Sequence, residues 1–276
     1  MGGRILGREG SGIADLAQSQ IPNPKSLVIS GASSGIGLAL ARHYLKCGAV
    51  VAAFARRGDL LQKLAAEFPG KVYCYTLDVR DAPAIQAAAT DFMSHVGVPD
   101  IVIANAGVSR GTLTEYAEDE EVFQNIMDIN VLGMVKTFQP FHAAMREAKQ
   151  GTLVGIASVA GFRGLPGSGA YSASKAAAMS YLESLRVELH GSGVKVVTIC
   201  PGYIKTPMTD INTYPMPFIL EADEAARRMA RAIERGASFS VVPWQMGLTG
   251  WLLKRLPNWI YDPVFSKAPH KSRDHQ

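Results

Sequence analysis

The chain has 276 residues, 47% of them hydrophobic and 19% charged, and its 28 Lys+Arg against 24 Asp+Glu leave a formal charge of +4. A chain this long and this apolar can bury a large core, which excludes a disordered, collagen-like or disulfide-stapled protein. Its basic residues are scattered rather than clustered, so the charge argues for solubility and against a nucleic-acid partner.

Residues 1–24 read as a polar N-terminal extension without the apolar run of a secretion signal. From residue 25 to 243, short β-rich runs alternate with helical stretches, the pattern of a parallel sheet wrapped by helices. The predicted strands are Ser26–Ser30, Val50–Ala55, Lys71–Leu77, Asp100–Asn105, Thr152–Ala157, Val194–Cys200 and Ser238–Val242. Several are continuous apolar runs, as expected of a sheet covered on both faces. The helices between them are Ile36–Cys47, Leu60–Phe68, Pro83–Val96, Glu120–Glu147, Tyr171–His190 and Ala222–Arg235. Asp59 is placed to cap the second, and Asp81 stands two residues before Pro83 at the head of the third. No linker divides this region, so it is one domain. Residues 244–276 form a Trp-rich C-terminal tail. Cys47, Cys74 and Cys200 lack paired spacing and the six histidines lack ligand spacing, so neither a disulfide framework nor a metal is expected, and a reducing, cytoplasmic compartment fits.

The first strand runs into Ser30-Gly31-Ala32-Ser33-Ser34-Gly35-Ile36-Gly37 and then a helix. Glycines at such a junction permit a tight turn and let backbone approach a pyrophosphate at the positive end of a helix. A plain strand-to-helix turn is the competing reading. At the end of the second strand, where an NAD-binding chain would carry an acid, stands Ala55, followed by Arg56 and Arg57. Two guanidinium groups there can hold a 2′-phosphate, which favours NADP(H) over NAD(H).

Tyr171 and Lys175 lie four apart in an Ala-rich helical stretch and share one face. Ser158 ends a strand upstream, and the Gly/Pro-rich segment between can fold back to join the three. A lysine ammonium about 5 Å from a phenol favours the phenolate by roughly 3 kcal/mol at an effective dielectric near 20. That would poise Tyr171 for proton transfer while Ser158 holds a carbonyl or alcohol oxygen.

The glycine loop, Asn105-Ala106-Gly107, Ser158 and Tyr171-x-x-x-Lys175, in this order, resemble the short-chain dehydrogenases/reductases over residues 25–243. The resemblance implies a Rossmann-type, doubly wound parallel seven-stranded sheet in a single α/β domain, and hydride transfer between nicotinamide and a carbonyl or secondary alcohol. It implies that Gly31, Ser33, Ser34, Gly35, Ile36 and Gly37 bind the cofactor with Arg56 and Arg57. It puts Asp78 and Val79 beside the adenine and Asn105, Ala106 and Gly107 beside the cofactor. Pro201, Gly202, Ile204 and Thr206 would lie against the nicotinamide, with Tyr171 and Lys175 on its ribose. It makes Asn130 the fourth catalytic residue beside Ser158, Tyr171 and Lys175, its helix distortion holding a proton-relay water. A homodimer or homotetramer built on the long helices is also implied.

Substrate choice is expected from Phe162, Arg163 and Leu165 and from the segment Met208–Leu220, either a mobile lid over an apolar substrate or an ordinary proline-rich connection. The tail carries Trp244, Trp251 and Trp259 beside Lys254 and Arg255. It either packs over the pocket or a second subunit, or rests on a membrane, which would suit a lipid ketoreductase. His270–Gln276 is expected to be disordered. A non-catalytic NADP-binding regulator is the alternative from another functional class.

Overall fold

The apolar runs alternate their side chains between two cores. In the first strand Leu27 and Ile29 face one helical layer and Val28 the other, all fully buried. The computed structural model describes residues 26–212 and 214–267 together with Lys271 and Arg273; the extension expected over residues 1–24 lies outside them. In chain order the elements are β1 (Ser26–Ser30), α1 (Gly35–Lys46), β2 (Val50–Ala55), α2 (Gly58–Glu67), β3 (Val72–Thr76), α3 (Ala82–Val96) and β4 (Ile101–Ala104). Then come α4 (Asp119–Met127), a π-helical turn (Asp128–Leu132), α5 (Gly133–Ala148), β5 (Thr152–Ile156), a 3-10 turn (Val159–Gly161), α6 (Gly169–Glu188) and β6 (Lys195–Pro201). The chain continues with β7 (Ile204–Lys205), α7 (Pro207–Asp210), β8 (Leu220–Glu221), α8 (Ala222–Glu234), β9 (Phe239–Val242), α9 (Trp244–Arg255) and α10 (Asn258–Phe265).

Seven strands form one parallel sheet in the order β3-β2-β1-β4-β5-β6-β9, and β7 pairs with β8 apart from it. Helices α1, α2 and α8 cover one face, and α3, α5 and α6 the other. This is the expected doubly wound α/β domain. The strand order reverses between β1 and β4, so a crevice opens at their carboxyl ends, where sheets of this kind bind ligands.

Two local expectations need correction. The stretch expected as one helix over Glu120–Glu147 is α4 and α5 joined by the π turn, in which Gly133 N–H reaches back five residues to Asp128 O. Asp59 does not cap α2: the helix starts a residue earlier at Gly58, where an added Cβ would meet Thr76 Oγ1 at 2.5 Å, and Asp59 lies within its first turn. The described part of the Trp-rich tail forms two helices, α9 and α10. Asp81 does cap α3, accepting from Ala84 N at 3.0 Å.

Candidate active site

A cleft of about 950 Å³ opens over the carboxyl ends of β1, β2, β4, β5 and β6. Every residue expected to touch the cofactor lines it except Gly37, which lies one residue deeper in α1. The β1 end is tied to the β4 end: Ser30 Oγ accepts from Asn105 N (3.1 Å) and Ala106 N (3.2 Å), and Asn105 Nδ2 donates to Ser30 O (3.0 Å). Gly31 and Gly35 have φ of +71° and +56°, a region a side chain would strain.

At the head of α1, Ser34 occupies the N-cap position with no side-chain cap bond. Its hydroxyl instead accepts from Arg57 Nη2 at 2.7 Å, as Ser33 Oγ does at 3.0 Å. The N–H groups opening α1 are therefore left for a ligand, beside two hydroxyls and two guanidinium groups. That donor set fits the phosphates of a dinucleotide at the head of α1. On the neighbouring wall Asp78 is held below the usual carboxylate range by its hydrogen-bonded pair with Arg80 (2.7 Å), with Arg56 adding a smaller pull. Val79 packs against the start of α5, where Gly133 leaves it room.

Helix α6 carries Tyr171 and Lys175 to the floor. It can lie close on β5 because position 155 is glycine: a Cβ there would overlap Leu182. Lys175, nearly fully buried, donates from Nζ to Ile156 O at 2.8 Å, with its amine 5.7 Å from the centre of the Tyr171 ring. Ser158 follows β5, caps the 3-10 turn through Ala160 N (3.1 Å) and hydrogen-bonds with Tyr171. Serine, tyrosine and lysine thus meet on one face of the cleft.

The electrostatics depart from the expectation that Lys175 draws down the Tyr171 pKa. Burial pushes the phenol above its ordinary value, and the Ser158 hydrogen bond offsets only part of this. Burial also brings the Lys175 ammonium down to about 8. For both groups desolvation is the largest influence. Around neutral pH the tyrosine therefore carries its proton.

Asn130 does not line the cleft. It sits buried in the π turn, its Oδ1 accepting from Val108 N (2.8 Å) and its Nδ2 donating to Val108 O (3.0 Å) and Ser174 Oγ (3.0 Å). Ser174 in turn donates to Tyr171 O at 2.8 Å. Asn130 therefore bolts the wall after β4 to the helix that bears the tyrosine. Ser174 is missing from the sequence reading because a serine inside a helix carries no motif; its one signal is its place between Tyr171 and Lys175.

Two residues expected to read the substrate face elsewhere. Phe162 stacks on Phe239 at 6.2 Å, packs over Gly250 and lines a separate cavity of about 500 Å³. Arg163 donates to Leu253 O, Leu256 O and Asn258 Oδ1 and lies 3.7 Å over the Tyr261 ring, so it fastens α9 and α10 to the loop after Ser158. Nor do the tryptophans cover the cleft. Helix α9 turns Met246 and Gly250 inward and leaves Trp244 67% and Trp251 53% exposed, with Trp259 of α10 76% exposed. Met208, from the segment after β7, does line the cleft. Among the described residues no group of three or more His, Cys, Asp or Glu could hold a metal ion, and no helix is long and apolar enough to cross a membrane.

Comparison with known proteins agrees with this geometry. The family model described as short chain dehydrogenase matches residues 25–214. An uncharacterized oxidoreductase of Myxococcus xanthus is 40% identical over 252 residues, covering 90% of this chain and 98% of that protein. A solved alcohol dehydrogenase from Thermococcus sibiricus, complexed with 5-hydroxy-NADP, superposes with a TM-score of 0.69 at 28% identity, covering 76% of this chain and 90% of that one. A 3-ketoacyl-(acyl-carrier-protein) reductase from Brucella melitensis, complexed with NADH, gives 0.73 at 25% identity over 79% and 95%. With a family match over most of its length and the cleft of a nicotinamide-dependent oxidoreductase, this chain belongs to the short-chain dehydrogenases/reductases.

Proposed function

We propose that the protein reduces a carbonyl, or oxidises the corresponding secondary alcohol, with NADP(H), using Tyr171 as the proton donor and acceptor. The observation that carries this reading is the convergence of Ser158, Tyr171 and Lys175 beside the uncapped head of α1. The nicotinamide, when bound, supplies or accepts the hydride. The rest falls to the chain. Ser158 Oγ and Tyr171 Oη orient the substrate oxygen, and Tyr171 gives or takes its proton. Lys175 provides a positive charge behind the phenol and a donor toward a ribose, while Asn130 and Ser174 hold α6 in position.

The preference for NADP(H) rests on Arg56 and Arg57, because relatives complexed with either dinucleotide share the fold. Replacing both with alanine is expected to raise the NADPH dissociation constant at least tenfold, from loss of charge-assisted hydrogen bonds worth about 1.5–3 kcal/mol. The NADH constant should change less than threefold. Equal changes in the two, followed by fluorescence titration, would refute the assignment.

A second reading concerns place of action. Trp244, Leu248, Trp251 and Leu252 recur on one exposed face of α9, with Lys254 and Arg255 at its end and the Arg255 guanidinium 4.0 Å from the Trp251 ring. Aromatic and cationic side chains on one helix suit the headgroup level of an anionic bilayer, and so a lipid-like substrate. Vesicles of phosphatidylserine and phosphatidylcholine should co-sediment the protein, and Trp244→Ser with Trp251→Ser should release it; co-sedimentation unchanged by the pair of substitutions would count against the reading. The same family reading puts a homodimer or homotetramer contact on α4, α5 and α6, where Phe123, Leu132 and Val187 are exposed.

A further inference from the structure

The end of the chain, expected to be disordered, has two described residues seated against the loop between β4 and α4. Arg273 bonds through Nε to Asp119 Oδ2 (2.9 Å) and through Nη2 to Glu118 Oε1 (3.2 Å), and its guanidinium lies 3.5 Å over the Tyr116 ring. Asp119 is itself buried and accepts from Leu113 N at 2.7 Å. Arg273 is thus an anchor with its charge met.

Lys271, two residues earlier, is differently placed. Its Nζ donates to Ser109 Oγ at 2.9 Å, and among the described residues it forms no ion pair. Ser109 belongs to the cleft wall, which runs outward from Gly107, where a Cβ would stand 3.6 Å from Lys175 Nζ, through Val108 to Ser109 and Arg110. Burial lowers the Lys271 pKa, and a neutral hydroxyl recovers only part of what an ammonium loses on leaving water. An anion at the same point would recover more.

We propose that Lys271 and Ser109 form a subsite for an anionic group, carboxylate or phosphate, borne by the substrate at the outer end of the cleft. This rests on the hydride-transfer reading above and narrows its substrate class to carbonyl compounds or alcohols that carry a negative charge. Arg273 delivers the lysine, and the two charges divide the work between anchoring and recognition.

Two matched pairs test the proposal: acetoacetate with its methyl ester, and dihydroxyacetone phosphate with dihydroxyacetone. Each compound is titrated by calorimetry into the full chain with the oxidised cofactor NADP present, which has no hydride to give a carbonyl. In at least one pair the anionic member should bind about tenfold more tightly or better, as expected for a charge-assisted hydrogen bond. Lys271→Gln should erase that preference, Lys271→Arg should keep it, and the NADPH dissociation constant should be unchanged in both. A preference for a carboxylate or for a phosphate identifies the group. The proposal is overturned if neither pair shows a preference in the wild-type chain, if Lys271→Gln weakens both members alike, or if it weakens NADPH instead. Turnover of the same compounds is followed separately by NADPH absorbance. A binding preference without turnover of any compound would speak against the hydride-transfer reading and leave the subsite standing.

Discussion

Tyr171→Phe is expected to lower kcat by 10²-fold to 10⁴-fold or more, the range over which a positioned acid or base accelerates a reaction. The substitution deletes one oxygen from a buried ring and leaves the ring's packing in place. The melting temperature should therefore shift by no more than a few degrees, and the NADPH dissociation constant by less than about threefold. Those two controls separate loss of chemistry from loss of fold, and turnover equal to wild type would refute the role. The pH dependence has a definite sign. Burial raises the phenol pKa, so the protonated form, which a carbonyl reduction needs, prevails at neutral pH. Alcohol oxidation needs the phenolate, so its rate should climb as pH rises through 8 and beyond, where Lys175 also loses its charge. Reduction should hold level and then fall over the same range. Oxidation that declined with increasing pH would contradict this assignment of donor and acceptor.

The sheet was legible because strands buried on both faces read as unbroken apolar runs, and Val50–Ala55 and Ser26–Ser30 agree with the structure to the residue. The glycine loop and the Tyr171 helix were legible as structure, because glycines at a strand end mark a turn and an Ala-rich run marks a helix. The electrostatics were not, since the pKa values of Tyr171 and Lys175 depend on burial, and a four-residue spacing carries no information about solvent. The break at Asp128–Leu132 left no mark in the apolar pattern and was foreshadowed only by the family resemblance, which implied a helix distortion at Asn130; there Asn130 is engaged by Val108 and Ser174 from other elements. Phe162 and Arg163 were assigned to the substrate on nearness in sequence to Ser158. The 3-10 turn redirects the chain after that serine, and both side chains go to α9 and its neighbours instead. In α9 the usual burial rule fails, because glycines at 247 and 250 allow close approach to Val241 and Phe162 and the bulky residues are left outside. Long-range pairing of this kind has no local signature.

Gly37→Ala should be among the most damaging single-methyl additions in the chain, although alanine is the better helix former. Gly37 is the third residue of α1, where the propensity gain is at most about 1 kcal/mol. Against it stands a Cβ that would overlap Gly31 O and come within 2.5 Å of Asn105 Nδ2. Neither neighbour can yield cheaply. Gly31 O belongs to the turn, and Asn105 Nδ2 already donates to Ser30 O and Gly31 O, tying β1 to β4. Overpacking of a tight core site costs typically 1–3 kcal/mol, and displacing backbone belongs at the upper end. A net loss of about 2 kcal/mol corresponds to a melting temperature lower by roughly 4–8 °C in a domain of this size. Because the displaced turn also shapes the head of α1, where the proposed cofactor site lies, NADPH affinity should fall at least tenfold along with stability. Gly169→Ala is the control: it stands at the first position of α6 with nothing within 4 Å of the added methyl, so it should leave stability unchanged or raise it by up to about 1 kcal/mol. Calorimetric melting of the two variants, with NADPH titrated into each, gives opposite signs if the glycine loop is packed as described. A Gly37→Ala chain as stable as wild type would mean that α1 does not lie against Gly31 and Asn105 as it does here, and the cofactor assignment built on that contact would fall with it.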